Sequence, residues 1–433
     1  MTEQLTHFDA TRLLTRALMI LFLLLASLGT WFVVRWYLGD LLAEYHDPDE
    51  YGVEMATRAV AWAPDDPLTH WKLAAVAQRK LLPDQLTQVV REYEKAASLS
   101  PNDYRFWVPL GTALEQWGDV NRGEKALRRA TELAPSYSFP RWHLGNLLLR
   151  SGRYDEAFDE LRRASEADSA LRGQLLNLAW EVYNKDLESY TKAVGTSPGA
   201  RAELAAYLAS RYRHDDGVLL WRGLSETEKR ANRPYGDALV GALVAAKRYH
   251  QAVEIANDLV PAPAYRAAEG KFVDGGFEDN LSSQSGSVFG WQVKSVPQAQ
   301  VGIDPNRGHA SSRSLRIFFQ VRSRLDSLGI GQLVPVKPGT QYDFECYVKT
   351  EKLQSGSTPQ IEIFDATQDT VLVSSASAPS GNNDWQRIAV TFKTGPKTEA
   401  VIVRIVRNPC EDPAVCPIFG SVWYDDFNFQ RRS

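Results

Sequence analysis

WVPLGTALEQWGDVNRGEKALRRATELAP occupies residues 107–135, and RWHLGNLLLRSGRYDEAFDELRRASEADS occupies residues 141–169. The two stretches align without a gap at an offset of 34. Trp107, Leu110, Gly111, Leu114, Gly123, Leu127, Ala130 and Pro135 fall on Arg141, Leu144, Gly145, Leu148, Ala157, Leu161, Ala164 and Ser169. Apolar and small residues three and four apart mark the buried face of a helix. Gly118 and Gly152 punctuate each copy near its middle, so the repeating unit is a pair of helices, with Gly123 or Ala157 keeping the second helix slim where the two axes meet.

The same pattern extends both ways. Ala96 and Pro101 stand 34 positions before Ala130 and Pro135, and Ala59 and Pro64 stand 37 before those, with the extra residues near Leu81 to Asp84. Gly217, Trp221 and Leu224 are matched 35 residues later by Ala252, Ala256 and Leu259. The stretch from Arg172 to Gly199 fits poorly. Five or six helical pairs are expected over residues 47–262. The Trp-x2-Leu-Gly start, the small residue at the crossing and the closing Ala-x4-Pro from Ala130 to Pro135 resemble the tetratricopeptide repeat family. That resemblance implies an all-α solenoid whose groove holds a peptide or another protein. Trp71, Trp107, Trp117, Trp142, Trp180 and Trp221 read mostly as packing between helices, and Arg128, Arg129, Arg162 and Arg163 as solvated charge.

The 433 residues exceed one ordinary domain, and 49 basic against 53 acidic side chains leave a net charge of −4. From Lys271 onward there are 17 of each sign, so no basic surface points to a nucleic-acid partner. Hydrophobic residues make up 44% of the chain, with 12 tryptophans, which excludes disorder as the general state.

Between Arg16 and Arg35, the eighteen residues Ala17 to Val34 carry no charge, Pro or His. This is the length of a membrane-spanning helix, and the apolar stretch reaches Leu38 if Arg35 snorkels. Trp31, Trp36 and Tyr37 sit at its C-terminal edge, Arg12 and Arg16 precede it, and Asp40, Glu44, Asp47, Asp49 and Glu50 follow. Residues 17–38 therefore read as an uncleaved signal anchor, with residues 1–16 cytoplasmic and the bulk of the chain outside the cytoplasm, periplasmic in a two-membrane bacterium. A cleaved signal peptide is the competing reading. Cys410 and Cys416 bracket a Pro-containing loop that a disulfide can close in such a compartment, the alternative being two unpaired thiols. Cys346 alternates with strand-forming residues and reads as buried.

After Pro261 and Pro263 the helix-forming runs stop and short alternating segments begin. Leu315–Val321, Gln341–Thr350, Gln360–Asp365, Arg387–Lys393, Ala400–Val406 and Val422–Phe429 read as strands, so residues 270–433 form an all-β sandwich or jelly roll. Several segments then resemble the galactose-binding-like jelly-roll carbohydrate-binding modules of secreted polysaccharide-active proteins. They are Asp274-Gly-Gly-Phe-Glu278 with Gly290-Trp291, Gly308 to Arg316, Val336 to Tyr342, Tyr347 to Thr350, Trp385, and Val422-Trp-Tyr-Asp-Asp426.

The resemblance implies a structural calcium ion where the first and last segments meet. It nominates the Gly276 carbonyl and the Glu278 and Asp426 carboxylates, with loop oxygens near Asp304, as hard oxygen ligands. The loop carboxylate that the family often adds has no counterpart between Asn306 and Ser314. The alternative is that Glu278 and Asp426 only hydrogen-bond the ends of the sandwich together. For a glycan, strand alternation places Tyr342, Phe344, Cys346 and Val348 inward and Asp343, Glu345, Tyr347 and Lys349 outward. It offers Arg316, Phe318, Gln320, Tyr347, Glu362, Phe364 and Arg404 as a shared exposed ligand face. Trp291, Trp385 and Trp423 read as structural.

The sequence has no phosphate loop, no Gly-x-Ser-x-Gly turn and no His-Glu-x-x-His, and no enzyme is expected. The expected function is a membrane-anchored scaffold outside the cytoplasm. Its repeats would hold a protein and its sandwich a glycan, in exopolysaccharide or cell-envelope assembly. A purely protein-binding assembly factor with a structural sandwich is the alternative.

Overall fold

The computed structural model describes residues 13–44, 52–79, 86–260, 265–279, 281, 287–294, 299–321, 327–408, 410 and 416–432. Arg12, most of the expected cytoplasmic segment, the start of the repeat region at 47–51, the insertion at Leu81 to Asp84, and Pro261 and Pro263 lie outside the described residues. The chain forms two compact units, Met1–Val194 and Gly195–Ser433.

The first unit begins with α1 (Leu13–Glu44), a helix long and apolar enough to cross a membrane. Among the described residues nine α-helices follow: α2 (Gly52–Trp62), α3 (Pro67–Arg79), α4 (Leu86–Leu99), α5 (Tyr104–Gln116), α6 (Val120–Leu133), α7 (Ser138–Arg150), α8 (Tyr154–Ala167), α9 (Arg172–Tyr183) and α10 (Leu187–Val194). From α3 onward they associate two by two. The offset of 34 is reproduced in the element bounds, since α5 and α7 start at 104 and 138 and α6 and α8 at 120 and 154. Asp103 and Asp119 accept the backbone N–H groups of Arg105 and Arg122 at the starts of α5 and α6. Gly123 is needed at the crossing: a Cβ there would stand 2.8 Å from the carbonyl oxygen of Gly111. Gly118 makes the turn between the paired helices at φ 96°. The poorly fitting stretch is a shortened pair, because α10 has only eight residues before Gly195 turns the chain at φ 116°.

The second unit holds α11 (Pro198–Ser210), α12 (His214–Arg222), α13 (Glu226–Ala231), α14 (Arg233–Ala245) and α15 (Tyr249–Leu259), followed, among the described residues, by ten strands. These are β1 (Gln292–Val293), β2 (Ala299–Asp304), β3 (Ser314–Val321), β4 (Ser327–Pro335), β5 (Gln341–Ser355), β6 (Gln360–Asp365), β7 (Thr370–Ser374), β8 (Gly381–Lys393), β9 (Ala400–Val406) and β10 (Ile418–Arg431). They form two antiparallel five-stranded sheets, ordered β1-β4-β9-β6-β7 and β2-β3-β10-β5-β8. The sandwich core between them contains Phe344, Cys346, Val348, Ile361, Ile363, Val401, Val403, Val422 and Tyr424.

A second apolar core joins the helices to the first sheet. Trp221, Leu239, Leu243, Tyr249, Ile255 and Leu259 cluster with Leu333 of β4, Ala400 of β9 and Ala366. Polar contacts lock this junction: the Tyr249 hydroxyl donates to the Ala366 carbonyl at 3.0 Å, the His250 N–H to Glu399 at 3.1 Å, and Asn257 exchanges two 2.9 Å bonds with Ala267. The secondary structure therefore changes near residue 270, whereas the packing boundary falls after Val194.

Candidate functional site

In the first unit, a groove of about 660 Å³ lies between α5 and α7, the leading helices of successive pairs. Thr112, Glu115 and Gln116 line it from α5, and Trp142, His143, Asn146 and Arg150 from α7. The 3.6-residue period brings each set to one face of its helix. Glu115 takes a forked pair of bonds from Arg150 at 2.7 and 2.8 Å, which fixes the guanidinium across the groove. Burial pushes the His143 imidazole below its usual pKa, and Arg150 adds to the shift, so this ring is neutral near pH 7. The result is a polar, hydrogen-bonding groove with one ion pair at its edge.

The four arginines that the sequence read as solvated charge sit on the second helices in ion pairs: Arg128 meets Glu124 and Glu156, Arg129 meets Glu132, Arg162 meets Asp159 and Arg163 meets Glu160. Trp221 is buried, Trp71 and Trp107 pack against core clusters, and Trp117 is exposed.

In the sandwich, Gly276, Glu278 and Asp426 lie close together. A Cβ on Gly276 would lie 3.5 Å from Oδ1 of Asp426, 3.6 Å from Oε1 of Glu278 and 3.9 Å from Oδ1 of Asp425, so three carboxylates surround one open corner. Asp425 is the member that sequence reasoning missed. Burial pushes its carboxyl up to about 6, opposed by backbone N–H donors from His309 and Asp426 and aided by the charges of Asp426 and Glu278. The donors are hard oxygens of the kind calcium takes. Among the described residues no group of three or more His, Cys, Asp or Glu side chains is placed so as to hold a metal ion by itself.

His309 occupies the loop where no carboxylate was found. Its backbone N–H donates to Asp425 at 2.7 Å, its Nδ1 pairs with Asp426 at 2.7 Å, and its ring stacks on Tyr347 with centroids 3.6 Å apart. Trp385 stands edge-on to the same ring at 5.8 Å. Asp304 is not at the corner's edge as a free oxygen, since it accepts the Trp423 indole N–H at 2.9 Å.

A cleft of about 800 Å³ runs from this corner along β5 and β10, lined by Gly276, Asp426, Tyr347, Glu345, Asn428, Lys271 and Arg431 among others. It opens beside the register shift in β10 between Asp425 and Asn428, where Asp426 adopts φ 49°. A bulge has no periodic signature, which hid the cleft from strand alternation.

The expected shared ligand face is corrected by the topology. Arg316, Phe318 and Tyr347 lie on the outer side of the β2-β3-β10-β5-β8 sheet, whereas Glu362, Phe364 and Arg404 lie on the other sheet. Outward-pointing residues of two stacked sheets face opposite ways, so the seven cannot meet one ligand. Arg404 instead bonds Glu362 and lies over the Phe364 ring at 4.4 Å, and Arg316 lies 5.4 Å from the rings of both Phe318 and Trp423. Gln320 belongs to β3, with its side chain outside the described residues. Of the six whose side chains are described, Tyr347 alone lines the cleft. Trp291 and Trp423 are buried. Cys410 and Cys416 form a disulfide, with Cα atoms 5.5 Å apart, and Cys346 is a free, buried thiol.

The family model for the tetratricopeptide repeat matches residues 104–137. Residues 104–137 therefore form a tetratricopeptide repeat within the helical region. Among solved structures, the chain is similar to a MamA protein, at 14% identity over 51% of this chain and 96% of that one, with a TM-score of 0.29. It is similar to YrrB, a tetratricopeptide protein described as having an unusual peptide-binding site, at 14% identity over 48% and 91%, with a TM-score of 0.25. It is also similar to the CBM22-1–GH10 modules of xylanase 10B from Clostridium thermocellum, complexed with xylohexaose, at 18% identity over 38% of this chain and 29% of that one, with a TM-score of 0.26. No curated protein matches the chain.

Proposed function

We propose that this chain is a non-enzymatic scaffold anchored in a membrane by α1 and lying outside the cytoplasm, whose repeats hold a protein or peptide and whose sandwich holds a glycan. An uncharged run of eighteen residues and a disulfide support the location. The groove with Gln116, His143 and Asn146 supports the protein partner, because side-chain amides and a neutral imidazole both donate to and accept from a peptide backbone.

The observation that carries the glycan reading is the cleft beside β10. It combines the Tyr347 ring with carboxylate, amide and cationic groups from Glu345, Asn428, Lys271 and Arg431, the mixture that sugar C–H faces and hydroxyls require. Calcium belongs to the same proposal. Asp425, Asp426, Glu278 and the Gly276 carbonyl would hold it, and its charge would offset the burial, and the lesser repulsion from Asp426 and Glu278, that raise Asp425. The expected setting is exopolysaccharide or envelope assembly.

The test is a glycan array probed with the intact chain in detergent, together with melting curves with and without chelator. Capture of an exported polysaccharide, lost in Tyr347→Ala, supports the proposal. Saturating calcium at about a hundred times its Kd should add roughly 2.7 kcal/mol to the second unit. Neither glycan capture nor a calcium shift leaves the second reading, a purely protein-binding assembly factor. That reading is favoured by the use of one sheet's outer face to dock α14 and α15.

A further inference from the structure

The C-terminal end of α1 does not stand alone. Gly39 and Ala43 are buried against the first repeat helices, and a Cβ on Gly39 would lie 2.5 Å from that of Ala63. One turn earlier, the Arg35 guanidinium donates to the carbonyl of Trp62, the last residue of α2. Arg35 meets Trp62 and Gly39 meets Ala59 and Ala63, so the last turn of α2 packs against α1 between Arg35 and Ala43.

Arg35 closes the uncharged run from Ala17 to Val34, whose eighteen residues span about 27 Å of helix, close to the hydrocarbon thickness of a bilayer. The Trp62 carbonyl is therefore tied to the charge that closes this run, within a turn of the anchor's end at Leu38. Trp62 is 41% exposed, as is Leu68 at the start of α3, and Trp36 and Tyr37 are exposed at the same level on α1. Amphipathic rings at that depth gain from the headgroup layer. Asp65 and the helix-capping Asp66 occupy the same corner, so their charges confine it to the headgroups and keep it out of the acyl chains.

We infer that the corner between α2 and α3 is a second membrane contact, with Trp62 and Leu68 resting in the lipid headgroup layer beside α1 and holding the first repeat against the bilayer. This rests on the membrane-anchored reading above. The test uses the intact chain in phosphatidylcholine vesicles with an environment-sensitive fluorophore on Trp62→Cys or Leu68→Cys. Cys346 is buried and the other two cysteines are bonded to each other, so the new thiol is the reactive one. Both replaced side chains are exposed, and two positions guard against a local effect of either.

Labels on Leu25→Cys, Tyr37→Cys and Tyr137→Cys give the references for span, headgroup layer and water. The expected result is a blue-shifted emission at 62 and 68, quenched by headgroup-nitroxide lipids to the extent seen at 37. Labels at 62 and 68 that behave like the one at 137, while 25 and 37 are shielded, overturn the inference and leave the anchor standing. A label at 25 that is open to water overturns the spanning reading and this inference with it.

Discussion

The hydroxyl of Tyr424 is buried in the sandwich core and has no hydrogen-bond partner among the described residues. An orphaned buried hydroxyl forfeits its hydration without return, so Tyr424→Phe should keep the ring's packing and raise stability by about 1 kcal/mol, read from denaturant unfolding. Glu124 behaves oppositely. Burial raises its pKa, but Arg128 and Arg153 outweigh burial and hold the carboxyl below its ordinary value of 4.5. A carboxylate with a depressed pKa in the folded state stabilises the fold above its unfolded pKa. That contribution is lost as pH falls through the folded value. Glu124→Gln should therefore lower the melting temperature of the repeats at pH 7, and the difference from wild type should shrink below pH 4.5 in a melting series. At this scale the sequence nominated Gly276, Glu278 and Asp426, which lie close together. It was silent on Asp425 and His309, because their importance comes from burial and stacking across strands far apart in the chain.

Strand β5 shows how far alternation carries. Tyr342, Phe344, Cys346 and Val348 are buried and their neighbours point outward, as the period of two dictates. Alternation says which side chains turn inward, not to which of two sheets a strand belongs, and this is why one expected ligand face became two. β6 and β9 were legible residue for residue. β4 was missed because Gly329, Gly331 and Pro335 mask its apolar positions, and the two-residue β1 is too short for any period to show. The helices were legible because an offset of 34 recurs in both members of a pair. The loop between β9 and β10 carries its own test. Its disulfide is gripped by Arg407, which donates to the Ser357 carbonyl at 2.9 Å and the Cys416 carbonyl at 3.3 Å. Closing so short a loop contributes about 2 kcal/mol in the chain-entropy picture. Reduction should lower the melting temperature of the second unit by a few degrees and leave the first unchanged.

Across the whole molecule, two cooperative transitions are expected, divided after Val194 and not at the change from helix to strand. Calorimetry of the intact chain checks this when combined with Tyr249→Ala, which strips the ring and hydroxyl that join α15 to the sandwich. That variant should shift the second transition alone, by about 3 kcal/mol or more. A fragment beginning at residue 270 should be poorly soluble, since it bares Leu333, Ala366 and Ala400, whereas one beginning at 195 should fold. The sequence could not reveal this, because the residues that weld α14 and α15 to the sandwich carry the same pattern that stacks one helical pair on the next. The consequence reaches to how such a chain is inherited. A sandwich whose outer face is buried by the preceding helices cannot be traded between genes as a free-standing cassette: recombination that keeps it working has to carry everything from Gly195 onward, with the last helical pairs travelling as its cargo.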